Sequence, residues 1–121
     1  MAIGADTARR LLEEERARLE DAARTVDADL EEEREGAGEE LAAYDQHPAE
    51  EGTEVHDMSR DLGLRTDLHA RLEENEAALR RLEEGSYGRC EMCGKDIGDE
   101  RLRAMPSARY CIEDQQTVDQ A

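Results

Sequence analysis

Three cysteines and one aspartate in the C-terminal part of the chain have the types and spacing of a zinc site. Cys90 and Cys93 form a C-x-x-C pair, and seventeen residues separate Cys93 from Cys111. This distance is typical of a finger in which a second C-x-x-C pair completes four ligands. The fourth place is occupied by Asp114, whose carboxylate can also coordinate Zn²⁺. The pattern predicts a structural site for one zinc ion, with three thiolates and one carboxylate oxygen.

Two other interpretations of these residues stay open. A carboxylate is a harder and weaker ligand for zinc than a thiolate, so the segment could be a decayed finger that folds without stable metal. The cysteines could also serve as redox or catalytic thiols. Residues 85–121 contain no Phe and no Trp, which leaves little core and favours the metal. Because no nucleophile–base pair or cofactor motif accompanies the cysteines, we expect that the protein is not an enzyme.

Two long helical segments must position this site. Apolar residues recur at steps of seven over residues ~7–35, and leucines recur at steps of three, four and seven over residues ~54–84, which is typical of coiled-coil seams. The apolar positions are Ala8, Leu12, Leu19, Ala23, Val26 and Leu30 in the first segment and Leu64, Leu68, Leu72, Leu79 and Leu82 in the second.

Breaks in these patterns set the expected domain boundaries. The stretch Gly36-Ala37-Gly38 interrupts the first segment, and Pro48 and Gly52 favour a turn between the two segments. Gly85 ends the second segment. We therefore predict a mainly α fold, with an antiparallel coiled-coil hairpin over residues 1–84 whose tip lies around 44–54. A small zinc-finger-like domain follows over 85–121, with short loops or a β-hairpin over 86–110 and a short helix from ~111.

The charge of the chain restricts its partners. The 33 acidic and 16 basic residues give a formal net charge of −17. Nucleic acids and anionic membranes attract basic surfaces, so we expect neither sequence-specific nucleic-acid binding nor membrane binding. No apolar stretch approaches the ~20 residues that span a bilayer, and no signal peptide is visible, so we expect a cytoplasmic protein.

Several ordered motifs resemble the DksA/TraR family of C4-type zinc-finger transcription regulators. The resemblance lies in Gly85–Ile97, which contains Tyr87-Gly88-Arg89-Cys90 and Cys93-Gly94, and in Glu100–Leu102, Met105–Ala108 and Tyr110–Ile112. The stretch Glu40–Ala49 is similar to the YteA-like branch, in which the zinc finger is often depleted. Asp114 stands where the family has its fourth cysteine.

The resemblance implies a function. Family members bind RNA polymerase and insert a two-helix coiled coil into its secondary channel, where an acidic tip modulates initiation. Carried over to this chain, the tip residues are Glu50, Glu51 and Glu54, the cofactor is one structural Zn²⁺, and the protein binds the polymerase as a monomer. The alternative is a coiled-coil adaptor or dimerisation protein whose zinc finger is purely structural.

Overall fold

Four α-helices form the regular structure of the part of the chain that is described. The computed structural model describes residues 3–43 and 51–120, with side chains for 3–36 and 58–120. The helices are α1 (Ala5–Ala43), α2 (Glu51–Glu84), α3 (Asp99–Ala104) and α4 (Ile112–Gln120). Within these residues, β-pairing is limited to one isolated antiparallel bridge between Arg89 and Asp96. The predicted mainly α fold, a long helical hairpin followed by a finger region, is confirmed.

Helix α1 is longer than the sequence pattern suggested. We expected it to be interrupted at Gly36-Ala37-Gly38, but it continues to Ala43, so that prediction is wrong. A glycine inside a helix costs only about 1 kcal/mol relative to alanine. A helix already propagating over seven turns absorbs this cost, because extension is far easier than nucleation. Over the described residues, neither α1 nor α2 holds a segment apolar enough to cross a membrane.

The seam of α2 follows a heptad pattern that excludes one predicted leucine. Leu68 is buried and Leu72 partly buried, whereas Leu64 is 45% exposed, so its assignment to the apolar stripe is wrong. Positions 58, 61, 68, 72, 75, 79 and 82 are buried or partly buried and fit alternating steps of three and four, in which place 65 is occupied by an exposed arginine that pairs with Asp27 of α1. Leu64 lies one residue before a seam position, which turns its side chain by about 100° away from α1.

The described residues divide into two compact units. The first combines the chain up to Arg18 with the chain from Leu72 onward. Its core joins α1, α2 and the finger in one cluster, and Ile3 also donates its backbone N–H to Asp99 Oδ1 at 3.1 Å. The buried members are Ile3, Ala8, Leu12, Ala78, Tyr87, Cys90, Ile97, Leu102 and Ala108. The helices therefore supply part of the core that the finger lacks.

The second unit runs from Leu19 to Arg71 and has a thin core of its own. Val26, Leu30 and Leu68 are buried there, and Leu19, Ala22 and Met58 pack against them. An exposed ion pair joins Arg65 Nε to Asp27 Oδ1 at 3.1 Å across the two helices. The predicted α1 stripe is confirmed, because Val26 and Leu30 are buried and Leu19 is partly buried.

The region 86–110 contains a helix that the sequence analysis did not predict. Helix α3 starts with Asp99 and Glu100 and buries Leu102 in the core of the first unit. Acidic residues in its first turn and arginines in its last complement the helix dipole. The β-hairpin alternative is wrong, since the single bridge between Arg89 and Asp96 is not extended into strands among the described residues. The terminal helix is confirmed as α4.

A buried asparagine fixes how α1 and α2 pair in the first unit. Asn75 is fully buried, and its amide nitrogen donates to the Leu12 carbonyl oxygen at 2.9 Å and to Glu15 Oε1 at 3.0 Å. Its own oxygen is buried without a hydrogen-bond partner. A polar side chain at a seam position costs stability but specifies register, because other registers leave its donors unpaired.

Replacing this amide by a carboxylate tests the argument. Asn75→Asp should lower the free energy of unfolding by about 2–4 kcal/mol at neutral pH, because the new charge would face Glu15 and a carbonyl oxygen. Burial raises the pKa of the introduced carboxyl, so the deficit relative to wild type should shrink from about pH 8 to about pH 5 as it protonates. Urea unfolding at both pH values measures this.

Gln116→Glu is the matched control, since it makes the same chemical change at an exposed position of α4. Its stability should stay within about 0.5 kcal/mol of wild type. A deficit of Asn75→Asp that is equally small, or that does not change with pH, would contradict the burial argument.

Candidate metal centre

The four predicted ligands lie together in the first unit. Cys90 is buried, Cys93 is exposed, and Cys111 and Asp114 are partly buried. One ligand atom from each residue lies within 4.8 Å of all the others. The centre is open to solvent at Cys93. Its opposite end, at Cys90, is buried, because the Cys90 side chain belongs to the core of the unit.

The first two cysteines are presented by a tight turn. Gly94 donates its N–H to the Cys90 carbonyl oxygen at 2.9 Å, and Cys90 donates its own N–H to the Lys95 carbonyl oxygen at 2.8 Å. Gly94 has a φ of +75°, a conformation that residues with a Cβ rarely adopt. The turn therefore requires glycine directly after the second cysteine.

The other two ligands are presented by the start of α4. Cys111 immediately precedes the helix and accepts the N–H of Gln115 at its carbonyl oxygen at 2.8 Å. Asp114 follows three residues later, so both side chains lie on the same side of the first turn. A helical C-x-x-D pair can thus face a C-x-x-C turn across one ion.

The interatomic distances fit a tetrahedral zinc ion. Zn–S bonds of about 2.3 Å and Zn–O bonds of about 2.0 Å place two sulfurs about 3.8 Å apart, and a sulfur and an oxygen about 3.5 Å apart. Cys93 Sγ and Cys111 Sγ are 4.0 Å apart. Cys90 Sγ donates to Asp114 Oδ2 at 2.9 Å, so zinc binding would replace this hydrogen bond and separate the two atoms slightly. The cluster fits one structural zinc.

The pKa values of Cys90, Cys93 and Asp114 depend on their neighbours in the cluster. Hydrogen bonds from the thiols, first of all from Cys90, lower the pKa of Asp114. Burial and Asp114 disfavour the Cys90 thiolate, but backbone hydrogen bonds outweigh them and lower its pKa. A backbone hydrogen bond at Lys95 favours the Cys93 thiolate, yet Asp114 and the neighbouring thiols raise the pKa of Cys93 to about 12. Zinc must therefore displace protons, and its affinity should rise with pH.

Two further contacts hold the segment that precedes Cys111. Tyr87 is buried and donates its hydroxyl to the Pro106 carbonyl oxygen at 2.7 Å, and burial raises the pKa of Tyr87 to about 12. Arg81, near the end of α2, directs one nitrogen toward the carbonyl oxygens of Ser107 and Ala108, each at 3.4 Å. Both side chains fix the path of the backbone just before the third ligand.

Charged residues around the centre form a network that sequence reasoning missed. Arg109 donates from Nε to Glu74 Oε2 on α2 and from Nη1 to Glu91 Oε1 at 3.2 Å. Arg81, near the end of α2, is buried against the finger and lies 3.9 Å from Glu91. Desolvation lowers the pKa of Arg81. Hydrogen bonding, chiefly to Glu74, raises the pKa of Arg109. Periodicity and spacing carry no signal for such pairs.

The side chains of the predicted tip residues lie outside the part of the chain that the structure describes. Glu50 lies outside the described residues. Glu51 and Glu54 fall within the range of α2, but their side chains also lie outside the described set. The structure therefore assembles the predicted metal ligands and leaves the tip and the domain boundary at 84/85 as predictions.

The family of the finger is decided by comparison with known proteins. Residues 85–119 match the family model described as the prokaryotic dksA/traR C4-type zinc finger. The chain carries a DksA/TraR zinc finger. The predicted resemblance is confirmed, with one departure: a C4-type finger has four cysteines, and in this chain Asp114 stands at the fourth place.

Matches to individual proteins extend the similarity beyond the finger. YteA of Bacillus subtilis is 46% identical over 76 residues, which cover 61% of this chain and 31% of YteA. General stress protein 16O of the same organism is 39% identical over 85 residues, covering 70% and 52% of the two chains. The RNA polymerase-binding transcription factor DksA of Haemophilus influenzae is 35% identical over 66 residues, covering 54% and 46%. These matches span about a third to a half of the relatives' lengths.

The similarity in fold covers almost the whole chain. The structure of transcription factor DksA2 from Pseudomonas aeruginosa superimposes with a TM-score of 0.77 at 25% sequence identity. The match covers 96% of this chain and 83% of the DksA2 chain. The fold of this chain is therefore similar to that of a solved DksA-type protein.

Substitution of Asp114 tests its place in the DksA/TraR finger. Asp114→Cys should bind zinc more tightly than wild type, because a thiolate is a softer ligand. Asp114→Ala should bind about tenfold more weakly or worse, because an ordered ligand is lost. Competition with a chelator of known affinity measures both, and elemental analysis should give about one zinc per chain.

Glu113→Ala provides the control, since it removes the exposed neighbouring carboxylate of α4 and should leave the affinity unchanged. If Asp114→Ala bound zinc as tightly as wild type, the fourth ligand would be another oxygen or a water molecule. Apparent affinity that failed to rise with pH would argue against thiolate ligands.

Proposed function

We propose that this protein binds RNA polymerase and modulates transcription initiation by inserting the tip of its helical hairpin into the secondary channel. The observation that carries the proposal is the fold similarity to transcription factor DksA2 over 96% of the chain. It is supported by the match to Haemophilus DksA, whose name describes an RNA polymerase-binding transcription factor. The polymerase is the proposed partner, bound by one copy of this chain without sequence-specific contact to DNA.

Charge supports a channel as the destination of the hairpin. Residues 1–84 contain 26 acidic and 11 basic residues, whereas residues 85–121 contain 7 and 5. An acidic hairpin is attracted to a basic or metal-containing cleft, and complementary charge accelerates entry. The same charge opposes binding to free nucleic acid. The proposed target is therefore a protein surface near the polymerase's catalytic Mg²⁺.

The proposal assigns the regulatory effect to Glu50, Glu51 and Glu54. Glu51 and Glu54 fall at the start of α2, and Glu50 directly precedes it, next to the turn predicted at Pro48. Carboxylates at this point would face the catalytic metal or the loops around it, and glutamate reaches one methylene further than aspartate. Contact with these groups alters the stability of the open promoter complex.

The proposal gives the metal centre a structural role. Cys90, Cys93, Cys111 and Asp114 are the proposed ligands of one Zn²⁺ that ties the Cys90–Cys93 turn to the start of α4. Bound zinc would cross-link the Cys90–Cys93 turn and the start of α4, whose unit has only a small core. A stable finger at the base would orient the hairpin toward the channel.

A variant of the tip should lose the effect on the open complex and keep its affinity for RNA polymerase. Replacing Glu50, Glu51 and Glu54 by glutamine should abolish the change in open-complex lifetime while keeping polymerase affinity within about threefold, because the helical shafts and the finger would supply most of the binding surface. Open-complex lifetime on a responsive promoter and affinity for core polymerase are the two measurements.

The control removes the same number of charges elsewhere on the hairpin. Glu31, Glu32 and Glu35 are exposed on α1, and their replacement by glutamine should leave the lifetime effect intact. A tip variant that acts like wild type would refute the role of the tip. A chain that captures other proteins but not core polymerase would favour the coiled-coil adaptor.

A further inference from the structure

The metal centre is built from two chain segments that Arg109 and Glu91 join beside it. Glu91 directly follows Cys90, and Arg109 lies two residues before Cys111. The Glu91 N–H donates to the Arg109 carbonyl oxygen at 2.9 Å. Arg109 Nη1 returns two hydrogen bonds to Glu91, at 3.2 Å to Oε1 and 3.4 Å to Oε2. Backbone and side chain thus both connect the two ligand-bearing segments.

The same guanidinium also reaches helix α2. Arg109 Nε donates to Glu74 Oε2, so the planar group bridges two carboxylates from different elements. Its side chain is 30% exposed, which places the bridge at the edge of the core. The two contacts use Nε and Nη1, which lie on different edges of the rigid, planar guanidinium. The single ammonium group of a lysine cannot reproduce this geometry.

A second arginine lies near the same oxygen of Glu91, at a longer distance. Arg81 Nη1 lies 3.9 Å from Glu91 Oε1, and the same side chain faces the carbonyl oxygens of Ser107 and Ala108. Arg81 is 11% exposed at its side chain, so it anchors α2 to the segment that leads to Arg109. The Glu91 carboxylate therefore lies close to two cations.

We propose that Arg109 is a positioning residue for the metal centre, holding the Cys90–Cys93 turn against the Cys111–Asp114 turn so that the four ligands converge before zinc binds. The inference rests on the ligand assignment proposed above. Pre-arranged ligands lose less conformational freedom on binding, and residues that orient ligands typically contribute 10–100-fold to metal affinity. This contribution matters more where one ligand is a carboxylate, which binds zinc more weakly than thiolate.

Zinc affinity of the full chain, measured by chelator competition, tests the inference. Arg109→Ala should raise the apparent Kd about tenfold or more. Glu91→Ala should cause a similar loss, and the double variant should be little worse than either single variant, because the side-chain bridge between the two ligand-bearing segments needs both residues. Arg103→Ala, which removes an exposed arginine of the neighbouring helix α3, should stay within about twofold of wild type.

Two further readouts separate positioning from general destabilisation. The Co²⁺-loaded Arg109→Ala variant should show altered d–d absorption bands, which report ligand geometry and would not change if only the fold were weakened. If Arg109→Ala does not melt cooperatively without metal, Arg109→Lys replaces it as the test variant. Arg109→Lys should bind zinc several-fold more weakly than wild type, because lysine can pair with only one of the two carboxylates.

Particular outcomes would overturn the inference. Unchanged zinc affinity in Arg109→Ala or Arg109→Lys, an equal loss in Arg103→Ala, or strictly additive losses in the double variant would each refute the positioning role while leaving the ligand assignment intact. A wild-type chain that takes up no zinc would overturn the ligand assignment and the positioning role together.

Discussion

The packing of the finger onto the ends of two helices is the constraint on which the rest of the structure depends. Residues 85–121 have no Phe or Trp and cannot enclose a core alone. Leu12 and Ala78 supply the missing surface from α1 and α2, and Tyr87, Cys90 and Leu102 supply the finger's share. The positions of both ligand-bearing turns follow from this common core. The apolar core therefore helps to bring the ligands together, whereas an isolated finger depends on its metal to fold.

Polar contacts give this small core its specificity. A seam made of Leu, Val and Ala permits several registers, whereas Asn75 can donate to Leu12 and Glu15 in one. Arg81 and Arg109 have a comparable effect at the finger, because their partners lie on separate segments. Partly buried charge pairs contribute modestly to net stability once desolvation is counted, but they disfavour alternative arrangements strongly. Burial of the apolar core supplies most of the stability, and these polar side chains select one arrangement of the helices and the finger.

The sequence predicted the features that repeat or have fixed spacing. The heptads located the buried side of α1, and the cysteine spacing identified four groups that meet within 4.8 Å. It failed at Gly36, where the cooperativity of a long helix outweighs local propensity, and at Leu64, where the seam steps by three rather than four. It also missed α3 and the pairing of Arg109 with Glu74 and Glu91, because partners far apart in sequence are set by tertiary packing.

The double role of Cys90 has an evolutionary consequence. Its side chain is 3% exposed and belongs to the apolar cluster, so losing this cysteine would harm the core as well as the metal centre. Position 114 lies on the first turn of α4, a helix that buries none of its described residues, and Cys93 is exposed. Substitutions at these outer positions alter metal chemistry with little effect on packing. During evolution, the exposed ligand positions of such a finger are therefore expected to be substituted before the buried one. The fourth ligand should change early, and the first cysteine should be retained longest.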